Sequence, residues 1–198
     1  MMVFVLTFSN SIAVVVNPLH LIDDAPSAAS RLGPERSTGA GRAFPLRTMS
    51  EASVRLSFAS DWPVAALDPL AAVHAASFRR PGGHQRNVSS LESDQTSGSG
   101  VDTGGGDGAG GFDDWPWVPL EAVSLEAALT AHTSGAASAL MLRDYVGALE
   151  VGMRADFVVL DRSPLVETSW GKGAPSVIAT FVDGVCAHGC RLGAWPWL

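Results

Sequence analysis

Residues 81–114 hold Gly98, Gly100, Gly104, Gly105, Gly106, Gly108, Gly110 and Gly111 among Ser, Thr and Asp, with few apolar side chains between them. Such a stretch cannot bury enough surface to offset the entropy of ordering it, so a disordered insertion is expected there. It confines any hydrophobic core to residues before 81 and after 114.

The patterns on the two flanks differ. Ile12 to Val16 is a β-branched run of the kind a parallel sheet buries on both faces, and Pro18 ends it. A polar, Ala-rich helix is expected over 24–32, broken by Gly33-Pro34, and a second helix carries Phe44, Leu46 and Met49. Residues 54–58 alternate as a strand does, and Asp68-Pro69 starts a helix through Leu70, Val73 and Ser77. Strands alternating with helices imply parallel βαβ units, an α/β class. Beyond the insertion, Ser124 caps a helix bearing Leu125, Ala128 and Leu129; Ser134-Gly135 interrupts it and 136–142 resumes it. A buried strand is expected over 156–160, then a hairpin of 177–182 with 185–188 around Asp183-Gly184, a type I′ turn pair.

Several function classes are disfavoured. Twenty acidic residues against 13 basic ones give a net charge of -7, so no basic stripe exists for nucleic acid. The apolar start, residues 1–16, has no basic n-region and is interrupted by Ser9, Asn10 and Ser11. It falls short of the roughly 20 residues that span a bilayer, so it reads as a strand, with no membrane span and a cytoplasmic location expected. The lone lysine, Lys172, is the one candidate for amine chemistry. Gly106 to Gly111 matches G-x-G-x-x-G by letters, but no strand precedes it and no helix follows. Cys186-Ala187-His188-Gly189-Cys190 offers three soft ligands where structural zinc wants four, so a small apolar Cys186 and a free Cys190 are expected in a reducing compartment. Asn87-Val88-Ser89 is a sequon that matters only in a secreted chain.

Asp61 follows the 54–58 strand in Ala59-Ser60-Asp61-Trp62-Pro63-Val64, and His20 follows the preceding strand in Asn17-Pro18-Leu19-His20. A carboxylate at the C-terminal end of a parallel strand can bind a metal or take a proton, or it can cap and fix the loop. From position alone both roles stay open for Asp61; for His20 a hydrogen-bonded loop histidine is the first reading.

These residues resemble the C-terminal part of the metal-dependent amidohydrolase superfamily, family 3, which carries Gln-Pro-x-His, a Leu-Gly-x-Arg-Arg type stretch and Gly-Ser-Asp-x-Pro-Val. The similarity continues through Asp23-Asp24, Arg31 to Arg36, Leu125 to Leu129, Thr133 to Ala137, Gly147 to Leu149, Gly152, Ala155 to Asp161 and Val182 to Gly184. It implies a partial TIM-type (β/α) barrel, its last two βα units in 1–80, with the insertion at 81–114. The final barrel helices would fill 115–145 and part of a small β-sandwich, the composite domain, 146–198.

The resemblance further implies a hydrolase of carbon–nitrogen bonds other than peptide bonds, working on a small-molecule amide or related substrate by metal-activated water. Asp61 would be both the catalytic base and a contact to a divalent metal, zinc being expected. His20 would touch substrate, and Trp62 and Pro63 would shape the pocket wall. The departures weigh against a self-sufficient enzyme. No His-x-His occurs, and His20, His74, His84, His132 and His188 stand away from the strand positions that hold metal in the family. Asn17 replaces Gln and Ala59 replaces Gly. A complete barrel takes roughly 250 residues, and this chain has 198. The expectation is a truncated chain, inactive alone. The alternatives are a non-catalytic protein that associates through exposed strand edges, or an incomplete gene model derived from an amidohydrolase.

Overall fold

A computed structural model describes residues 3–8, 11–33, 43–52, 54–82, 115–171 and 173–190. The expectations for the insertion beyond Gly82, His84, the Asn87 sequon, Gly106 to Gly111 and Lys172 lie outside those residues.

The described strands form two three-stranded sheets. In the first, β1 (Val3–Phe8) runs antiparallel to β2 (Ser11–Val16), which runs parallel to β3 (Arg55–Phe58). The registers are Val3↔Val16 and Ala13↔Arg55. The β2–β3 pairing is the parallel unit expected from alternating strands and helices. The apolar start, read as one strand, forms two. Only two residues separate β1 from β2, too few for a parallel crossover but enough for an antiparallel neighbour, so this sheet is mixed.

Between β2 and β3 lie α1 (His20–Leu32) and α2 (Leu46–Glu51). Helix α1 begins four residues earlier than the 24–32 expected, because the Asn17-Pro18 turn leads straight into it: the Leu21 and Ile22 amides donate to the Pro18 and Leu19 carbonyls. Its buried face is His20, Leu21, Ile22 and Ala25. Fully burying an aliphatic side chain such as Leu21 contributes about 1.5–3 kcal/mol. After β3 comes α3 (Pro69–Phe78), whose start is capped by Asp68 accepting from the Ala71 amide at 2.9 Å. Residues Ala71 to Ala76 of α3 are all buried, so this helix is enclosed rather than one-sided.

Arg79 ends α3 at φ 56° and is fully buried. Its guanidinium donates to the carbonyls of Trp117 (2.9 Å), Phe44 (3.2 Å) and Ala43 (3.4 Å), and the Trp117 amide donates back to the Arg79 carbonyl. One side chain therefore joins the segment before α2 to the chain beyond residue 114. Burial holds the guanidinium pKa down at about 10, against the pull of the Glu121 carboxylate. Glu121 itself accepts from the Thr48 amide and hydroxyl.

Helices α4 (Leu125–His132) and α5 (Ser134–Ala139) follow a short 3-10 turn at Pro119–Glu121. Ser124 caps α4 through the Ala127 amide at 3.1 Å; the break expected at Ser134-Gly135 falls instead at Thr133, so that Ser134 and Gly135 open α5, which ends at Ala139 rather than at 142. A Cβ on Gly135 would stand 2.5 Å from the Leu56 carbonyl oxygen, so glycine lets α5 lie directly on β3. Val14, Val16, Phe58, Leu46, Trp117 and Leu125 share one core with α1 and α3.

The second sheet joins β4 (Phe157–Leu160), β5 (Val177–Val182) and β6 (Val185–His188), all antiparallel. Asp183 and Gly184 have φ 54° and 75°, the left-handed pair a type I′ hairpin needs. Strand β4 was expected to be buried; it is half-exposed, with Val158 open, because this small sheet covers it on one side only. Phe157 stacks on Phe181 at 4.5 Å. The cysteine expectation is also corrected. Cys186 and Cys190 form a disulfide, because the turn at Gly189, φ 78°, brings their Cα atoms to 6.2 Å. No helix among the described residues is long and apolar enough to cross a membrane.

Candidate functional site

The C-terminal ends of β2 and β3 lie side by side, and each hands the chain to a polar loop. The Ala59 amide extends the ladder by donating to the Val16 carbonyl at 3.0 Å. Asn17, buried, then clamps the two ends. Its Nδ2 donates to the Ser60 carbonyl at 2.6 Å, and its Oδ1 accepts from the Leu19 amide at 2.9 Å. The clamp sets both the start of α1, which carries His20, and the loop that carries Asp61.

Asp61 takes φ 54°, a left-handed conformation that Asp and Asn adopt more readily than most residues. Its carbonyl accepts from the Val64 amide at 2.9 Å, and the Ser60 hydroxyl accepts from the Trp62 amide at 3.3 Å. Both bonds hold the loop in a tight turn. The Asp61 carboxylate is thereby aimed at the His20 ring, with Nε2 to Oδ2 at 3.8 Å. That separation is beyond a direct hydrogen bond, and the buried His20 Nε2 has no hydrogen-bond partner among the described residues. Asp23, one turn along α1, is pushed above the ordinary carboxylate range by burial, although His20 pulls the other way.

His20 and Asp61 are thus brought together, and His20 sits in a helix rather than in the loop expected of it. Trp62, next to Asp61, is 66% exposed and makes no ring contact with His20 among the described residues. A cavity of about 280 Å³ is lined by Leu19, Ala59, Ser60, Asp68 and His132 among others. His132 is held neutral by burial, its pKa pushed down to about 4, and its ring meets Phe58 edge-on at 5.3 Å. The sequence reading passed over the clamping role of Asn17. An Asn whose side-chain oxygen caps the amide two residues on is the Asx-turn pattern, and its place before a proline at a strand end was the available signal.

A divalent metal of the zinc type takes three or four protein ligands. One carboxylate and one imidazole do not supply them, and no group of three or more His, Cys, Asp or Glu among the described residues could hold a metal ion. The residues described therefore do not make a metal site by themselves.

The profile of the amidohydrolase family matches residues 6–187, nearly the whole chain. The chain belongs to the amidohydrolase family. Among curated proteins it is 33% identical over 173 residues to "Protein LONG AFTER FAR-RED 3" of Arabidopsis thaliana, covering 87% of this chain and 24% of that protein. It is 30% identical over 145 residues to an N-substituted formamide deformylase of Arthrobacter pascens, covering 73% of this chain and 21% of that enzyme. A solved structure titled as an uncharacterized metal-dependent hydrolase from Pyrococcus furiosus aligns with TM-score 0.51 and 27% identity, over 77% of this chain and 24% of that one. The chain spans about a quarter of the length of these relatives.

Proposed function

We propose that this chain carries the proton-handling corner of a hydrolase site for carbon–nitrogen bonds other than peptide bonds. The observation that carries it is the juxtaposition of Asp61 with the unpartnered His20 Nε2 at the C-terminal ends of two parallel strands. In barrel-type α/β folds that end of the strands is where reacting groups sit. Under this reading 1–80 supplies the last two βα units of a barrel, 115–145 its closing helices and 146–198 part of a β-sandwich. The substrate class, a small amide, is suggested by the name of the Arthrobacter relative.

The chemistry follows from what the two side chains can do. Asp61, as a carboxylate, accepts a proton from a water attacking the substrate carbonyl carbon. It then returns that proton to the departing nitrogen as the carbon–nitrogen bond breaks. His20, with its ring edge facing that space, hydrogen-bonds the substrate and orients it. Asn17 positions both without touching the reacting atoms. Because the metal ligands are incomplete here, no step is assigned to a metal, and the chain alone is expected to turn over no substrate. Such a site reaches activity only with the remaining walls of the barrel.

A chimera tests the reading: the matching segment of the Arthrobacter deformylase is replaced by this chain, and formate release from an N-substituted formamide is followed. Asp61→Asn is expected to lower kcat by about 100-fold or more, and His20→Asn to raise KM with a smaller change in kcat. An Asp61→Asn chimera as active as its parent would refute the assignment.

A second reading rests on a separate observation. Val158, Val177, Ile178, Val182 and Val185 are exposed on the second sheet, and unpaired apolar strands favour association. On that reading the chain is a non-catalytic partner protein. Elution from a sizing column as a monomer, with cooperative melting, would count against it.

A further inference from the structure

The cavity bordered by His132 holds about 280 Å³, just under the roughly 300–1,000 Å³ of pockets for drug-sized ligands, so an occupant must be small. Leu19, Leu67 and Ala72 give it apolar walls, and Ser60, Asp68 and His132 are its polar groups. Among the described residues that line it, no lysine or arginine occurs, and Asp68 supplies a carboxylate. Asp68 Oδ1 accepts from the Ala71 amide as the cap of α3. A whole negative charge still outweighs the roughly half positive charge that a helix N-terminus presents. His132 brings no positive charge to offset it, because burial holds the ring neutral, with its pKa down at about 4. The Nε2 of that ring is buried and has no hydrogen-bond partner among the described residues. A neutral imidazole keeps one nitrogen as an acceptor, and the Ser60 hydroxyl, which accepts from the Trp62 amide, has a second lone pair.

We propose that this cavity binds a small primary amine in its protonated form, the ammonium held by Asp68 and His132 and the apolar body lying against Leu19, Leu67 and Ala72. The polar groups select the ligand. An ammonium has three N–H donors and no acceptor, which suits a carboxylate, an imidazole lone pair and a hydroxyl oxygen. A ligand carboxylate would meet Asp68 with like charge, and an alcohol of the same shape would forgo the attraction between opposite charges. Filling the cavity also gives the orphaned His132 nitrogen a partner, which a buried polar atom otherwise lacks at a cost. Neither His20 nor Asp61 lines the cavity, so amine binding here stands without the hydrolase reading.

The full chain, labelled with nitrogen-15, is titrated near neutral pH with benzylamine, benzyl alcohol and benzoate, and amide chemical shifts are followed. Benzylamine is expected to move the Ser60, Leu67 and Ala72 amides saturably, with a Kd of about 1 mM. Benzyl alcohol should bind about ten-fold more weakly, and benzoate more weakly again. This comparison uses the natural chain and does not depend on how any variant folds. Asp68→Asn keeps a capping oxygen for α3 and removes the charge, and should weaken benzylamine about ten-fold while leaving benzyl alcohol unchanged. His132→Phe keeps a ring against Phe58 without its nitrogens, and should weaken the amine by a smaller factor. Ala66→Trp, at an exposed position on the cavity wall, should abolish binding. Leu149→Trp, in a second cavity that His132 also borders, should not change it. Benzoate or benzyl alcohol binding as tightly as benzylamine would overturn the proposal. So would an Ala66→Trp or Asp68→Asn chain that binds the amine as the parent does.

Discussion

Arg79→Met isolates the joint between the two halves of the described chain. Methionine keeps most of the apolar stem and is no worse than arginine at φ 56°, so the change removes little beyond the guanidinium. Three backbone carbonyls, of Trp117, Phe44 and Ala43, lose their donor. The bonds at 2.9 and 3.2 Å are firm and the third, at 3.4 Å, is weak. An orphaned buried acceptor costs about 1–3 kcal/mol, and buried Glu121 also loses its nearby positive charge. Removing one member of a buried charged network costs about 3–5 kcal/mol, which is a large part of the roughly 5–15 kcal/mol that holds a domain folded. With a urea slope of about 2 kcal/mol/M, the midpoint should fall by about 1.5–2.5 M. Exposed Arg80 next to it serves as the control, and Arg80→Ala should stay within about 0.5 kcal/mol. A midpoint shift for Arg79→Met as small as the control's would refute the idea that this side chain joins the halves.

His132 should make stability depend on acid. Its folded pKa of about 4 lies below the ordinary histidine value of 6.5, so the unfolded chain takes up the proton first. The neutral ring's contribution is present above pH about 6.5, is lost as pH falls toward about 4, and reaches about 3 kcal/mol at most. Urea midpoints at pH 7.5, 5.5 and 4.5 should show that loss, and His132→Phe should flatten it; an unchanged profile would refute the cause. Asn17→Ala should cost about 1–3 kcal/mol by leaving the Ser60 carbonyl and the Leu19 amide without their partner. Faster amide exchange from Ser60 to Val64 is the expected readout, and unchanged protection there would show that the clamp does not hold the Asp61 loop.

Elements with local signals were legible. Asp68-Pro69 and Ser124 announced their helices because an N-cap oxygen satisfies an amide only three residues away. Asp183-Gly184 announced its hairpin because two successive left-handed residues suit few side chains. The apolar start reads as one strand, and its division into β1 and β2 was not legible because the partner of β1 is chosen by pairing across the sheet. The start of α1 was misplaced because Leu19 and His20 lie against the core, where burial outweighs the weak helix preference of the residues that follow Pro18. Strand β4 looked buried from its apolar run, yet burial depends on how many layers cover a sheet.

Within the site the division is sharper. The residues themselves determined that a carboxylate and an imidazole follow two adjacent strand ends, and the motif around each carried the family resemblance. Only the tertiary structure decided that His20 and Asp61 face one another, that Trp62 is exposed, and that Asn17 holds the two loops together. It alone joined Cys186 to Cys190, where the sequence pointed to a free pair. The reason is physical. Caps, turns and strand propensity act over a few residues and are written in consecutive positions. A 3.8 Å approach between residues 20 and 61 depends on the register of β2 against β3, which the packing of α1, α3 and α5 around them sets.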